Sequence, residues 1–94
     1  MEVWRDVKDS RGQYEVSSEG RVRNKRTGRI RKVYRRPGGT CVVHLGGWIN
    51  KTVPVARLVA EAFITPFPGR VAHKSKDLSN NRPENLVVWT EEIK

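Results

Sequence analysis

The chain has 94 residues, a length that holds one small domain with a modest core. Hydrophobic residues make up 36%, too many for a wholly disordered chain, and no apolar run approaches the roughly 20 residues of a membrane-spanning helix. The 19 Lys+Arg against 10 Asp+Glu give a net charge of +9 and point to a polyanionic partner.

Chain order gives a β-rich first half. Trp4-Arg5-Asp6-Val7 reads as a short strand and Tyr14-Glu15-Val16 as a second. Ser17-Ser18-Glu19-Gly20 is a turn in which Gly20 is free to take a positive φ. Arg21-Val22-Arg23 alternates basic and apolar residues, a strand with its cations on one face. Thr27-Gly28 is the next turn, Arg29 to Tyr34 continues as a strand, and Pro37-Gly38-Gly39 breaks it. Cys41-Val42-Val43-His44-Leu45 is β-branched and apolar, and Gly46-Gly47 turns it toward Lys51-Thr52-Val53.

Pro54 precedes a segment, Val55 to Ile64, in which Val55, Leu58, Val59, Ala62 and Phe63 recur at helical spacing. Thr65, Pro66, Pro68 and Gly69 end this helix, and a second hairpin follows over Val71–Thr90. The expected architecture is therefore α+β: a small antiparallel sheet, one packed helix, then a hairpin. It forms a single domain, 1–94, with a basic β-rich part over 1–50 and the helix and hairpin over 51–94. Trp4, Tyr14, Phe63, Phe67 and Trp89 are candidate core aromatics, whereas Trp48, in a Gly-Gly-Trp turn, is a candidate for exposure and contact.

Nine cations, Arg21, Arg23, Lys25, Arg26, Arg29, Arg31, Lys32, Arg35 and Arg36, occupy one stretch without an acid. They equal the whole net charge, and the remaining ten bases and ten acids balance. Such a segment repels itself unless a polyanion neutralises it, and the nucleic-acid backbone is the obvious one. Cys41 is the only cysteine, so no internal disulfide forms, and two histidines add too few ligands for a four-coordinate structural zinc. The N-terminal residues lack the apolar core of a signal peptide, which predicts a cytoplasmic protein rather than a secreted or membrane one. His44, alone in an apolar strand, reads as structural.

The hairpin holds Val71-Ala72-His73, then Asp77, Asn80-Asn81-Arg82-Pro83-Glu84-Asn85-Leu86 and Trp89-Thr90. Upstream lie Trp4, Tyr14-Glu15-Val16-Ser17 and Gly20-Arg21-Val22-Arg23, then Val55, Arg57-Leu58-Val59-Ala60 and Ala62-Phe63-Ile64. In this order the pieces resemble the small phage and intron-encoded HNH homing endonucleases with an N-terminal nuclease-associated modular DNA-binding motif. The resemblance runs through nearly the whole chain. It implies a ββα-metal hairpin, truncated here, in which His73 is general base toward water and Asn85 pins the loop. It also implies a divalent metal, magnesium or manganese, at the scissile phosphate. Double-stranded DNA is the implied partner, contacted by the basic segment, and a protein of a DNA-acting complex is a further one. A phage-infected or bacterial cell is the implied setting.

Several positions depart from the family's pattern. Where it usually carries Asp or Asn before the histidine stands Ala72, whose methyl coordinates nothing. The place of its last ligand, a His or Asn beyond the second strand, falls at Lys94. Ser75 stands where Asp is common, and Ala56 where His precedes Arg-Leu-Val-Ala. With carboxylates lost, a divalent cation is held weakly or not at all, unless Glu91, Glu92 or Asp77 substitutes. Three functions are expected in order: a cleavage-impaired DNA-binding protein that occupies DNA or blocks a DNA-acting machine, an active metal-dependent nickase using His73, and a basic module for an acidic protein.

Overall fold

The computed structural model describes residues 1–47, 50–64 and 69–90, with the backbone alone at 69–70 and 88–90. Trp48, Phe67, Glu91, Glu92 and Lys94, and the side chain of Trp89, lie outside the described residues.

Three strands, β1 (Trp4–Asp6), β2 (Tyr14–Ser17) and β3 (Val22–Asn24), form an antiparallel sheet in the order β1-β2-β3. Its register explains its polar face. Asp6 lies opposite Glu15, and Glu15 opposite Arg23, so two acids of β1 and β2 share a face with the cations of and beside β3. Arg23 Nε donates to Glu15 at 2.9 Å, Lys25 Nζ to Asp6 at 2.9 Å, and Arg21 Nε to Glu2 at 2.8 Å. Arg21 and Arg23 do share a face, and between them lies Trp4, half-buried rather than in the core, with the Arg23 guanidinium carbon 3.9 Å and that of Arg21 5.6 Å from its ring. The opposite face buries Tyr14, Val16 and Val22.

The turn between β2 and β3 is fixed by Ser17, whose buried hydroxyl accepts from the amides of Glu19 and Arg21, and Gly20 takes φ +82°. After β3, Asn24 Oδ1 accepts from the amides of Arg26 and Thr27, and Gly28 adopts φ +75°. The strand expected from Arg29 to Tyr34 is corrected here. Ile30 makes only a single bridge to Arg23, and a strand resumes only at β4 (Val33–Arg35). The Asn24 turn brings Arg29 and Arg31 back onto β3 (the Asn24 amide donates to Arg29 O, the Arg31 amide to Val22 O), after which the chain leaves that sheet for another. The β content is thus split: β4, β5 (Cys41–Leu45) and β6 (Lys51–Pro54) make a second antiparallel sheet, ordered β4-β5-β6.

β5 buries Cys41, Val43 and Leu45 on one face, while the other face buries Val42 and exposes His44. Pro54 ends β6 and is also the N-cap of α1 (Val55–Phe63). Along α1, Val55, Ala56, Leu58, Val59 and Ala60 are buried, the stripe expected from the spacing. At the other end of α1, Arg5 Nη1 donates to Ala62 O at 3.0 Å with its guanidinium carbon 4.8 Å from the Phe63 ring, a cation where unpaired carbonyls favour one. The core joins Val16, Val22, Val43, Leu45, Val55, Val59 and Leu86, so α1 lies between both sheets and the last hairpin. That hairpin pairs β7 (Gly69–His73) antiparallel to β8 (Leu86–Thr90), with His73 opposite Leu86 and Ala72 opposite Val87.

One surface pair sets a pH dependence. The Arg21 guanidinium, with a hydrogen bond from Ser17, lowers the Glu2 carboxyl from its ordinary 4.5 to about 2. A carboxyl depressed on folding adds stability above its unfolded value, and that stability is lost as pH falls from 4.5 toward about 2. Thermal melts at about pH 6 and about pH 2.5 should therefore show a smaller acid loss in Glu2→Gln than in the parent chain. Equal losses would place Glu2 outside the acid transition.

Candidate functional site

β7 carries Val71 and His73 on one face and Ala72 on the other, because side chains alternate along a strand. His73 and Val71, together with Thr40, Pro54, Ala56, Arg57 and Leu78, line a cleft of ≈ 300 Å³. The first turn of α1 thus borders the same cleft as the histidine and brings Ala56 and Arg57 there.

The loop between the two strands is ordered by its own polar side chains. Asn85 Nδ2 donates to Asn80 O at 2.8 Å, while Asn85 Oδ1 accepts from the Ser75 amide at 3.2 Å. The Lys74 amide donates to Asn85 O at 2.7 Å. Asn85 therefore ties both ends of the 74–85 loop together. Its replacement by alanine should cost about 1–3 kcal/mol, the range for removing one partner of part-buried hydrogen bonds. Amide exchange at Ser75 should accelerate while the core amides of β5 stay protected. Unchanged exchange at Ser75 would mean that the loop holds itself by other bonds.

His73 Nε2 lies 2.7 Å from Asn81 Oδ1. An amide oxygen only accepts, so a hydrogen bond across this contact requires the proton on Nε2. Asn81 is 5% exposed, and the motif does not single it out from its other asparagines. The Asn80-Asn81 pair is a signal for a polar loop, but nothing in it says which of the two turns inward.

Asp77 is exposed, and its carboxylate accepts from the Ser79 amide at 3.0 Å and from the Ser79 hydroxyl. These bonds, assisted by the charges of Arg35 and His73, hold its carboxyl below the usual value. Among the described residues no group of three or more His, Cys, Asp or Glu stands close enough together to hold a metal ion. The described donors do not fit a tightly bound divalent cation: Ala72, next to His73 in β7, and Ala56, which lines the same cleft as His73, carry only methyl groups.

The basic segment does not present nine equivalent cations. Arg21, Arg23 and Lys25 face Glu2, Glu15 and Asp6. Arg31 donates to His44 O from Nε at 3.3 Å and from Nη2 at 3.0 Å. Lys32 Nζ lies 5.2 Å from the Tyr34 ring. Arg26, Arg29, Arg35 and Arg36 are exposed, and the last two flank the β4–β5 turn. That turn reaches the hairpin loop: a Cβ on Gly39 would stand 3.3 Å from Leu78 Cδ1. Beside it, Ile30, Val33 and Tyr34 are exposed among cations, giving a surface that is basic with apolar and aromatic content. His44 is solvent-facing on this surface, its Nδ1 3.2 Å from Thr52 Oγ1.

Comparison with known proteins matches two stretches of the chain. Residues 2–46 match the family described as the NUMOD4 motif, and residues 53–94 match the HNH endonuclease family. An uncharacterized HNH endonuclease of Acanthamoeba polyphaga mimivirus is 38% identical over 80 residues, 82% of this chain and 24% of that protein. The solved structure of the HNH homing endonuclease I-HmuI, described as concerning its DNA binding and cleavage, aligns with a TM-score of 0.83 at 32% identity. The alignment covers 95% of this chain and 53% of I-HmuI. The chain thus spans about a quarter and about half of these two relatives. No helix among the described residues is long and apolar enough to cross a membrane.

Proposed function

We propose that this chain, which belongs to the HNH endonuclease family with an N-terminal NUMOD4 motif, binds double-stranded DNA and cleaves it poorly or not at all. Its action is then to occupy DNA, or to block a DNA-acting machine, inside an infected or bacterial cell. The exposed cations Arg26, Arg29, Arg35 and Arg36 supply phosphate contacts, and Arg31 and Lys32 lie beside them. Arg21, Arg23 and Lys25 contribute less, because acids of the same sheet compensate them.

Impaired cleavage rests on one observation. β7 places an apolar Ala72 opposite Val87, where the family's pattern has a metal-binding Asp or Asn, and the described residues offer no compensating carboxylate cluster. A divalent cation bound there would stabilise the leaving oxygen and the phosphate charge. Without that support a general base alone does little.

A second reading, an active nickase, has its own support. The contact of His73 Nε2 with Asn81 leaves Nδ1 as the nitrogen that would take a proton from water, as a general base requires. Supercoiled plasmid incubated with magnesium, manganese or chelator decides between the two, beside a His73→Ala control. Shifted but uncut plasmid supports the proposal. Metal-dependent nicking that vanishes in the control overturns it in favour of the nickase. Binding that unrelated duplex DNA fails to compete would instead point to an acidic protein partner.

A further inference from the structure

We propose that Asn81 is a positioning residue that fixes the His73 imidazole in its Nε2–H form, and that Gly20 of the N-terminal half sets the place of Asn81. The inference rests on the reading of His73 as the reacting imidazole, but its geometry stands independently of cleavage.

Asn81 is 5% exposed, and its amide oxygen lies 2.7 Å from His73 Nε2. Its backbone is held from both sides. Asn80 accepts from Asn85 Nδ2 through its carbonyl, and its side-chain oxygen accepts from the Arg82 amide at 3.3 Å. Behind Asn81 stands the β2–β3 turn. A Cβ placed on Gly20 would lie 3.2 Å from Asn81 Cβ and 3.7 Å from its Cα and carbonyl carbon. The turn does not yield easily, since Ser17 Oγ accepts two of its amides and the Gly20 amide donates to Ser17 O at 3.0 Å.

Gly20 is therefore required twice, for φ +82° and for the missing methyl group. A wall of the N-terminal sheet presses directly on the residue that orients the histidine. A neutral imidazole free in solution exchanges between two tautomers, and a fixed acceptor at Nε2 selects one. The selected form leaves Nδ1 as the basic nitrogen.

Nitrogen-15 spectroscopy of the imidazoles tests this on the intact chain, without DNA or metal, at about pH 8.5, roughly two units above the ordinary histidine value. The chain has only two histidines. The expected wild-type signature is a protonated Nε2 and a lone-pair Nδ1 at His73, widely separated in shift. Asn81→Leu should bring the two shifts toward each other as the tautomers mix, and Asn81→Asp, which keeps an acceptor, should restore the separation. Gly20→Ala, far from the hairpin in sequence, should give an intermediate mixture. A wild-type His73 protonated on Nδ1, or freely mixed, overturns the proposal without any variant. An unchanged signature in Asn81→Leu overturns the role of Asn81, and one in Gly20→Ala overturns the part assigned to Gly20. None of these outcomes depends on whether plasmid is shifted or nicked, so the two readings fail separately.

Discussion

Replacing Arg26, Arg29 and Arg36 together by alanine should lower the salt slope of DNA binding by about three, roughly 0.9 for each phosphate contact removed. The loss of affinity between about 50 and about 200 mM salt should then be smaller by about 40-fold than in the parent chain. The weakening should be similar across unrelated sequences, because phosphate contacts carry no base information. These three cations are exposed, and no acid faces them among the described residues. The matching triple Arg21, Arg23 and Lys25 is the control. Its members sit against Glu2, Glu15 and Asp6, so their removal also frees three acids and should change the slope by less. Equal slopes for parent and exposed triple would remove the basic segment from the DNA interface.

Ala72→Asp should raise manganese affinity by at least about tenfold, read by calorimetry, a change of about 1.4 kcal/mol. The site tolerates the change. Ala72 is half-buried, its ladder partner Val87 is 37% exposed, and aspartate in a strand costs at most about 1 kcal/mol of propensity. A carboxylate adds formal charge at the end of β7, and Asp77, in the loop that follows, is already engaged by Ser79. New nicking in the same variant would mean that one ligand was the missing part. No gain in affinity would mean that Ala56 and Ser75 count as well.

Elements governed by local pattern were legible in the sequence. β5 and α1 follow from a β-branched run and from apolar spacing, and the β7–β8 hairpin from two apolar strands around a polar loop. The stretch after Arg23 was not. Arg29 to Tyr34 reads as one strand, but the Asn24 turn returns Arg29 and Arg31 to β3 and the chain then passes to β4 of the other sheet, so the expected strand is divided between the two. Cross-strand neutralisation was also hidden, because the register that sets Glu15 opposite Arg23 is not written in either strand alone. Within the site, His73 and Asn85 are visible as motif positions. Asn81 stands in the same motif, but its proximity to Gly20, 61 positions away in the chain, is not written there.

Pro54 closes the β4–β6 sheet and opens α1 with no residue between. A joint of zero length has no slack, so the sheet that carries Arg35 and the helix turn that borders the His73 cleft form one lever. In the proposed DNA-bound state that rigidity would act as a ruler: the distance from the phosphates held by the sheet to the base step near the histidine would be set by the protein and not by the sequence it lies on. Lengthening the joint by one residue would turn the helix by about 100°, the angle of one residue in a 3.6-residue turn, and so change which step the histidine meets.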